Sequence, residues 1–343
     1  MNLVTRVATT VALVLFLTGS TTPLAAQAQS GASGLKVVAR IAGPDGGWDY
    51  ASFDPVRRRL YVAHGAVVMT VDVDSGQTNT NFAAGAHLHA ALPIPGTDLI
   101  LTTNGADSSA RLISAVDGKL VASIPTAADP DGAVFDASTG LVLVVNGEAG
   151  KITLIDPKAA KSVGEITVGA GLEFAAVDDK GKAFVNIEAT GEIAVIDLAA
   201  RKVLARYPMS GCKTATGLAV TADGRLISAC GNGLAKILDA ATGREIASYK
   251  IGGFPDAVLI DEARAVAYIP SAMSGTMAVI GLKGESNNKL IDTVPTQLGA
   301  RTGAVDPKTG RVYLPVAQYI LPAPVGKRPS PKPETFTILV LDR

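Results

Sequence analysis

Short apolar segments of strand length alternate with turn residues along most of the chain, and this pattern repeats about every 42 residues. The first segment of each repeat ends, in order, at Asp54, Pro95, Asp136, Asp178, Thr221, Asp261 and Asp306. Each repeat holds four such segments, joined by Gly- and Asp-containing turns that suit tight hairpins. Four strands in a unit of this length are typical of a propeller blade. The sequence therefore predicts an all-β fold, a seven-bladed β-propeller of four-stranded antiparallel blades in one domain over residues 36–343.

The two ends of the repeat region complement each other. The seventh repeat stops at residues 337–342, which read as its third strand, so its fourth strand is missing. Residues 36–41 precede the first repeat and resemble residues 202–207, a fourth strand. We expect the N-terminal strand to complete the last blade and close the ring, which removes its free edges.

Composition narrows the class of protein. The 343 residues include 31 Lys+Arg and 31 Asp+Glu, so the formal net charge is zero. Nucleic-acid binding is therefore not expected, since such domains are usually basic. Apolar residues make up 48% and charged residues 18%, which indicates a folded chain rather than a disordered one.

The first residues have the pattern of an export signal. Arg6 precedes an apolar run at residues 7–17, and Ala26-Gln27-Ala28 fits a small-x-small cleavage site. The alternative is a transmembrane anchor, but the run is short for a bilayer span. The sequence predicts a signal peptide at 1–28, cleavage near Ala28, a periplasmic or secreted protein without a membrane anchor, and a monomer.

Several short motifs carry a family resemblance. They are Gly47-Trp48-Asp49-Tyr50, residues 60–65, residues 185–188, Cys230-Gly231-Asn232, residues 299–302 and Tyr313-Leu314-Pro315. On these the chain resembles the YncE-like, or YVTN-repeat, β-propeller proteins of bacteria over about residues 36–343. The resemblance implies an exported propeller and does not settle an activity.

One face of the propeller collects the polar residues. Because blade strands alternate in direction, innermost strands start, and second strands end, on the same face, around the mouth of the central channel. Equal spacing predicts one ring of Asp49, Ala90, Asp131, Glu173, Thr216, Asp256 and Arg301. It predicts a second ring that includes His64, Asn104, Asn146 and, in blade four, either Asn186 or Ile187. We expect ligand binding at this mouth, by Trp48, Asp49, His64, His89, Asp131, Asn146, Glu148, Glu173, Asn186, Glu188, Asp256 and Arg301. The opposite face, with Arg57-Arg58-Arg59, is expected to be ordinary solvated surface.

Two histidines suggest a metal. His64 and His89 are expected near Asp49 or Glu188, and imidazole with carboxylate suits one divalent transition metal ion. The alternatives are ordinary hydrogen-bonding roles or a catalytic acid–base histidine. Trp48 is either a blade-packing aromatic or a platform for a ligand ring. Arg301 either neutralises the ring acids or binds an anionic group of the ligand.

The cysteine pair and a proline-rich insertion complete the candidate features. Cys212 and Cys230 are the two cysteines, and a disulfide is expected in an exported protein; a thiolate metal site with His64 is the alternative. Residues 318–334 lengthen the last repeat and contain five prolines, either as a passive loop or as a flap over the mouth.

These observations predict an exported propeller that binds a small molecule, a metal or a protein partner at the mouth. The alternative is a metal-assisted hydrolase or lyase, in which His64 and His89 hold the metal, Glu188 or Glu173 is the base and Arg301 binds the substrate anion. A third reading is an interaction scaffold without pocket chemistry. The sequence lacks a Gly-x-Ser-x-Gly elbow, a phosphate-binding loop and a haem attachment motif.

Overall fold

The structure, a computed structural model, describes residues 32–322 and 329–343. The expected signal peptide lies outside the described residues. Within them, seven four-stranded antiparallel sheets form the propeller, which confirms the predicted fold class.

Each blade takes its four strands in chain order, from the innermost strand outwards, except the last. Blade one is β2 (Ala51–Asp54), β3 (Arg59–His64), β4 (Val67–Asp72) and β5 (Thr78–Ala84). Blade two is β6 (Leu88–Pro93), β7 (Leu99–Asn104), β8 (Ser109–Ser114) and β9 (Leu120–Pro125). Blade three is β10 (Pro130–Asp136), β11 (Leu141–Asn146), β12 (Lys151–Asp156) and β13 (Lys161–Thr167). Blade four is β14 (Leu172–Val177), β15 (Lys182–Ile187), β16 (Glu192–Asp197) and β17 (Lys202–Pro208).

The remaining blades follow the same plan. Blade five is β18 (Ala215–Val220), β19 (Arg225–Cys230), β20 (Leu234–Asp239) and β21 (Glu245–Lys250). Blade six is β22 (Leu259–Asp261), β23 (Val266–Ser271), β24 (Thr276–Gly281) and β25 (Leu290–Pro295). Blade seven is β26 (Ala304–Val305), β27 (Val312–Val316), β28 (Thr337–Asp342) and β1 (Lys36–Ala42). In the described part of the chain, two 3-10 turns, Gly105–Asp107 and Gly284–Ser286, lie in connections between strands.

The N-terminal strand closes the ring as predicted. β1 pairs antiparallel with β28 in a register that runs from Lys36 opposite Asp342 to Ala42 opposite Thr337. A polar contact adds to the closure on the other face, where Arg58 donates to both carboxylate oxygens of Asp306 at 2.6 and 2.7 Å. The expectation of an ordinary solvated surface there was wrong for Arg58, because Asp306 is fully buried and needs a cation.

The hydrophobic core lies between neighbouring blades. The middle strands are apolar on both faces, and β11 and β12 are almost wholly buried, because each blade is covered on both sides. One such layer joins Leu143 and Ile152 of blade three to Val185 and Ile196 of blade four. The outermost strand β17 instead alternates between exposed and partly covered residues. This packing fixes the blade positions and hence the geometry of the channel mouth.

No helix of the described residues is long and apolar enough to span a membrane.

Candidate functional site

Seven residues, one from each blade, surround the mouth of the channel, and we call them the mouth ring. They are Asp49, His89, Asp131, Glu173, Thr216, Asp256 and Arg301. In blades two to five, the ring residue lies where the pairing of the innermost strand with its neighbour slips by one position. Such a bulge re-aims a side chain, and here it sets the direction of the ring residue.

A left-handed backbone position lies two residues before the ring residue of blades two to seven. It is occupied by His87, Asp129, Gly171, Thr214, Phe254 and Gly299, all with positive φ. In five of these blades its carbonyl accepts an N–H from the residue that follows the second strand, as Gly105 donates to His87 at 2.9 Å. The same turn therefore positions the ring residue in blade after blade.

Blade two departs from the spacing expected from the sequence. Equal steps placed Ala90 in the ring, but the structure places His89 there. Ala90 is buried, and its N–H donates to the Thr103 hydroxyl at 2.9 Å. The bulge between Leu88 and Ala91 causes the difference, because it shifts the pairing by one residue.

Three ring residues from consecutive blades form a group that could hold a metal ion. The ligand atoms of Asp49, His89 and Asp131 all lie within 4.8 Å of one another. His89 Nδ1 is 2.9 Å from Asp49 Oδ2 and 3.5 Å from Asp131 Oδ1. Asp131 Oδ1 is buried and has no hydrogen bond in the described structure. A tetrahedral ion with bonds of about 2.1 Å holds its ligand atoms about 3.4 Å apart, so only small movements would be needed.

Arg301 links the other side of the ring. Its Nε donates to Asp256 Oδ2 at 2.9 Å, and one terminal nitrogen donates to the Trp48 carbonyl at 3.0 Å. The same nitrogen lies 3.7 Å from Asp49 Oδ1. Arg301 also interacts with the side chain of Tyr319 in the proline-rich insertion. Its guanidinium is thus engaged by ring acids, as in the neutralising role considered from the sequence.

The electrostatics of the ring are those of crowded, buried acids. Burial, together with the charges of Asp131 and other ring acids, raises the pKa of Glu173 to about 9. Burial, then the charge of Asp49, raises the pKa of Asp131 to about 7. Burial alone would lower the pKa of His89, but its hydrogen bond to Asp49 and the charges of Asp131 and Asp49 raise it. At neutral pH, Glu173 therefore carries a proton, and the ring favours an added cation.

An aromatic pair crosses the channel and was missed by the sequence analysis. Tyr50 of blade one and Phe174 of blade four are in ring contact, with centroids 5.1 Å apart. Tyr50 is buried, and its pKa is raised well above its usual value by burial and by the charges of four ring acids. Each follows its ring residue directly, where the other blades carry Ala90, Gly132, Gly217, Ala257 and Thr302. That contrast in size was the signal available in the sequence.

Two asparagines from the expected site serve the blades themselves. Asn146 is fully buried and donates to the carbonyls of Val144 and Lys151 and to the Thr153 hydroxyl. Asn186 is likewise buried and donates across the blade interface to the carbonyl of Thr216 at 2.7 Å. The amide nitrogens of both residues are thus engaged within the protein, whereas Asn146 Oδ1 is buried and has no hydrogen-bond partner in the described structure.

His64 and Trp48 lie at the seam between blades one and seven. The His64 imidazole contacts Phe336 edge-on, with centroids 4.5 Å apart, and burial lowers its pKa. His64 is not part of the group of described residues that could hold a metal. Trp48 packs against Phe336 and Tyr319 in a core cluster and is 6% exposed, which matches the packing role considered for it. Glu148 and Glu188 lie exposed on the rim of the same face.

Cys212 and Cys230 form the expected disulfide. Both sulfur atoms are therefore bonded, which removes the alternative of a thiolate metal site. The proline-rich insertion leaves blade seven between β27 and β28 and emerges on the mouth face. Its stem pairs with itself, since Ile320 donates to Ser330 at 2.9 Å and Lys332 donates to Gln318 at 2.7 Å. The Tyr319 ring lies directly over Gly299, where a Cβ atom would be 2.2 Å from the ring.

Comparisons with known proteins show the fold and no more. No protein-family model and no curated protein sequence matches the chain. A chain of Kuenenia stuttgartiensis hydrazine synthase is similar in structure, with a TM-score of 0.70 and 15% identity over 80% of this chain and 92% of that one. A chain of a mitotic checkpoint complex has a TM-score of 0.71 and 11% identity over 90% and 95% of the two chains. At such identities the likeness supports a seven-bladed β-propeller and transfers no activity.

Proposed function

We propose that this protein is an exported, YncE-like β-propeller that binds a divalent transition metal ion at its mouth ring, through Asp49, His89 and Asp131. The observation that carries the proposal is the convergence of one imidazole nitrogen and two carboxylates from three consecutive blades within 4.8 Å. One nitrogen and two oxygen donors suit Zn, Mn or Fe better than Mg or Ca, which prefer oxygen alone.

The hydrogen bonding of His89 supports this role. A carboxylate can only accept, so the contact with Asp49 places a proton on Nδ1 of His89. A metal ion would take the place of that proton between His89 and the two carboxylates. It would also provide a partner for Asp131 Oδ1, which makes no hydrogen bond in the described structure. Binding should therefore weaken as the pH falls and protons compete for the same atoms.

A metal held by three protein ligands keeps a position for a water molecule or a ligand. The mouth ring could therefore present the ion to a small molecule that enters the channel from this face. Export through the signal peptide, with cleavage near Ala28, places this site in the periplasm or outside the cell. The tethering of three ligands to rigid blades favours one fixed ion geometry.

One observation favours the second candidate, a metal-assisted hydrolase or lyase. Glu173 belongs to the same ring, and its raised pKa makes it a proton donor at neutral pH. In this version Glu173 is the general acid, the role of buried carboxyls that stay protonated. In this version Arg301 positions the carboxylates of Asp49 and Asp256, because its guanidinium already contacts both.

The proposal is tested by calorimetric titration of the metal-free mature protein with Zn²⁺ and with Mn²⁺. We expect one saturable site in the wild type and at least about tenfold weaker binding in Asp131→Asn, which loses a ligand charge. Asp45→Asn is the matched control. The amide oxygen of the introduced asparagine can still accept the backbone N–H of Glu334, as Asp45 Oδ1 does at 2.6 Å. A wild type without saturable binding, or an Asp131→Asn variant that binds equally well, would contradict the proposal.

A further inference from the structure

The mouth face carries an apolar sector that the blade repeat does not require. Among the described residues, the exposed large hydrophobic side chains on this face all come from the connections of blades five to seven. They are Phe254, Met273, Leu298, Ile320 and Leu321, with exposed fractions of 47–66%. We call these five residues the apolar sector.

The equivalent positions of the other blades show that the fold does not need large side chains here. Phe254 occupies the left-handed turn position, which elsewhere holds His87, Asp129, Gly171, Thr214 and Gly299. Leu298 precedes that position, where other blades carry Ala86, Ala128, Ala170, Lys213 and Gly253. Met273 is the second residue of the four-residue turn between β23 and β24. The second residues of the corresponding turns in blades two, three and four are Ala106, Glu148 and Ala189. Large apolar residues are therefore a local departure from the repeat, and such departures mark function or strain.

The backbone holds the sector together. Met273 donates to the Gly253 carbonyl at 3.1 Å, and Ala272 donates to Phe254 at 3.0 Å. Gly299 donates to the Ala272 carbonyl at 2.8 Å, which brings the Leu298 segment alongside. The Tyr319 ring over Gly299 then places the stem of the proline-rich insertion, with Ile320, next to Leu298. The side chains thus stand on neighbouring, hydrogen-bonded loops.

The shape of the sector favours a protein partner over a small molecule. Small molecules prefer concave sites, and none of the five residues lines the cavity of about 280 Å³ beside the insertion or the cleft of about 500 Å³ between blades four and five. Exposed, fixed apolar side chains beside a polar rim are instead typical of protein interfaces.

The charge of the mouth face indicates which protein surface fits. The carboxylates of Glu148 and Glu188, on blades three and four, are exposed and form no hydrogen bond or ion pair with another described residue. The face is therefore apolar on the side of blades six and seven, and it presents two carboxylates on the side of blades three and four, with the exposed Lys213 lining the same cleft as Glu188. An anionic membrane would meet these two carboxylates unfavourably.

We propose that the apolar sector docks a partner protein whose contact surface presents an aromatic or aliphatic anchor flanked by Lys or Arg. The anchor packs on Phe254, Met273 and Leu298, and the basic residues face Glu148 and Glu188 across the mouth. This interface is separate from the metal ligands and stands whether or not a metal binds.

A random peptide library displayed on phage, selected against the immobilised mature protein, supplies the probe. We expect the enriched peptides to combine an apolar anchor with Lys or Arg. Synthetic copies should bind at least about tenfold more weakly to the triple variant Phe254→Ser/Met273→Ser/Leu298→Ser, since interface anchors carry most of the affinity. Binding should also weaken in Glu148→Gln/Glu188→Gln and in high salt.

Two controls separate docking from folding. Leu120→Ser/Val121→Ser removes equally exposed apolar side chains from the outer strand of blade two and should leave peptide binding unchanged. Phe254→Gly should keep or raise the melting temperature, because glycine adopts the left-handed backbone more easily, while peptide binding falls.

Three results would overturn the proposal. One is the failure of any peptide to be enriched, or enriched peptides that bind the triple variant as well as the wild type. Another is co-sedimentation with phosphatidylcholine–phosphatidylglycerol vesicles that the triple variant loses, which would indicate a lipid surface. The last is a wild-type dimer in sedimentation that the triple variant converts to monomer, which would indicate a second copy of the chain.

Discussion

The Nδ1 atom of His89 lies 2.9 Å from Oδ2 of Asp49, although the two residues belong to different blades and are 40 positions apart. The backbone reinforces this contact, since the residue after Asp49, Tyr50, donates its N–H to the His89 carbonyl at 3.0 Å. The interface between blades one and two therefore fixes the imidazole and the carboxylate together. Asp131 approaches the same nitrogen from blade three, so three rigid elements determine the geometry of the proposed metal site.

Arg301 should be a major source of stability at the mouth. Its removal in Arg301→Met leaves Asp49 and Asp256 without their shared cation in a site where all three side chains are less than one third exposed. We expect the free energy of unfolding to fall by about 2–4 kcal/mol, measured by urea denaturation.

Two further variants test this account of Arg301. The double variant Arg301→Met/Asp256→Asn should lose less than the sum of the two single changes, because Asp256→Asn removes one of the two negative charges that Arg301 offsets. Arg311→Met is the matched control, since its pair with Asp342 is 43% and 32% exposed and should contribute less than about 1 kcal/mol. Equal losses in the two arginine variants would show that the ring pair is not special.

Glu173 should make the protein less stable as the pH rises. Its pKa in the folded protein is about 9, above the ordinary value of 4.5, so the folded state holds a proton that the unfolded state releases. The stabilising contribution of that proton is complete below about pH 4.5 and is lost as the pH rises towards 9.

Glu173→Gln removes this loss of stability at high pH, because the glutamine amide never ionises. Relative to the wild type, its free energy of unfolding should be little changed at pH 5 and higher by about 2 kcal/mol or more at pH 9. Urea denaturation at both pH values measures this. Glu148→Gln changes an exposed carboxylate of the same face that is not among the charges raising the pKa of Glu173, and it should show no such pH-dependent gain. If the free energy of unfolding depends on pH in the same way in the wild type and in Glu173→Gln, the pKa of Glu173 is not raised as described.

The disulfide should stabilise the mouth face of blade five. Cys212 and Cys230 are 18 residues apart, and closing a loop of this size contributes about 3 kcal/mol in the chain-entropy model. Cys212→Ala/Cys230→Ala should lower the free energy of unfolding by about that amount. A reductant should bring the wild type to the level of the variant and leave the variant itself unchanged. If the reductant also destabilises the variant, the effect does not come from this bond.

The architecture of the propeller could be predicted from the sequence because it depends on patterns that recur. Seven repeated segments ending near Asp54, Asp136 and Asp306 revealed the blades, and the likeness of residues 36–41 to a fourth strand revealed the closure. The pairing of Cys212 with Cys230 was expected because they are the two cysteines of a chain predicted to be exported. The blades and the closure needed only periodicity and chain direction.

The details of the site could be predicted only in part, because they depend on irregularities. A bulge decides that His89, and not Ala90, belongs to the mouth ring, and a bulge has no period to detect. Asn146 lies at the end of its strand as expected, yet its amide turns inward to satisfy backbone carbonyls. The contact of Tyr50 with Phe174 joins blades one and four. These residues are far apart in the sequence, so the spacing within one repeat does not predict their contact.

The most direct test of the central claim is elemental analysis of the mature protein, exported to a periplasm and purified without chelators. We predict about one transition metal ion per chain in the wild type, a loss of that ion in His89→Gln, and its retention in His64→Gln. Each variant should keep the melting behaviour of a folded propeller. A folded wild type without metal, or a His89→Gln variant that retains a full metal content, would contradict the assignment of the mouth ring as a metal site.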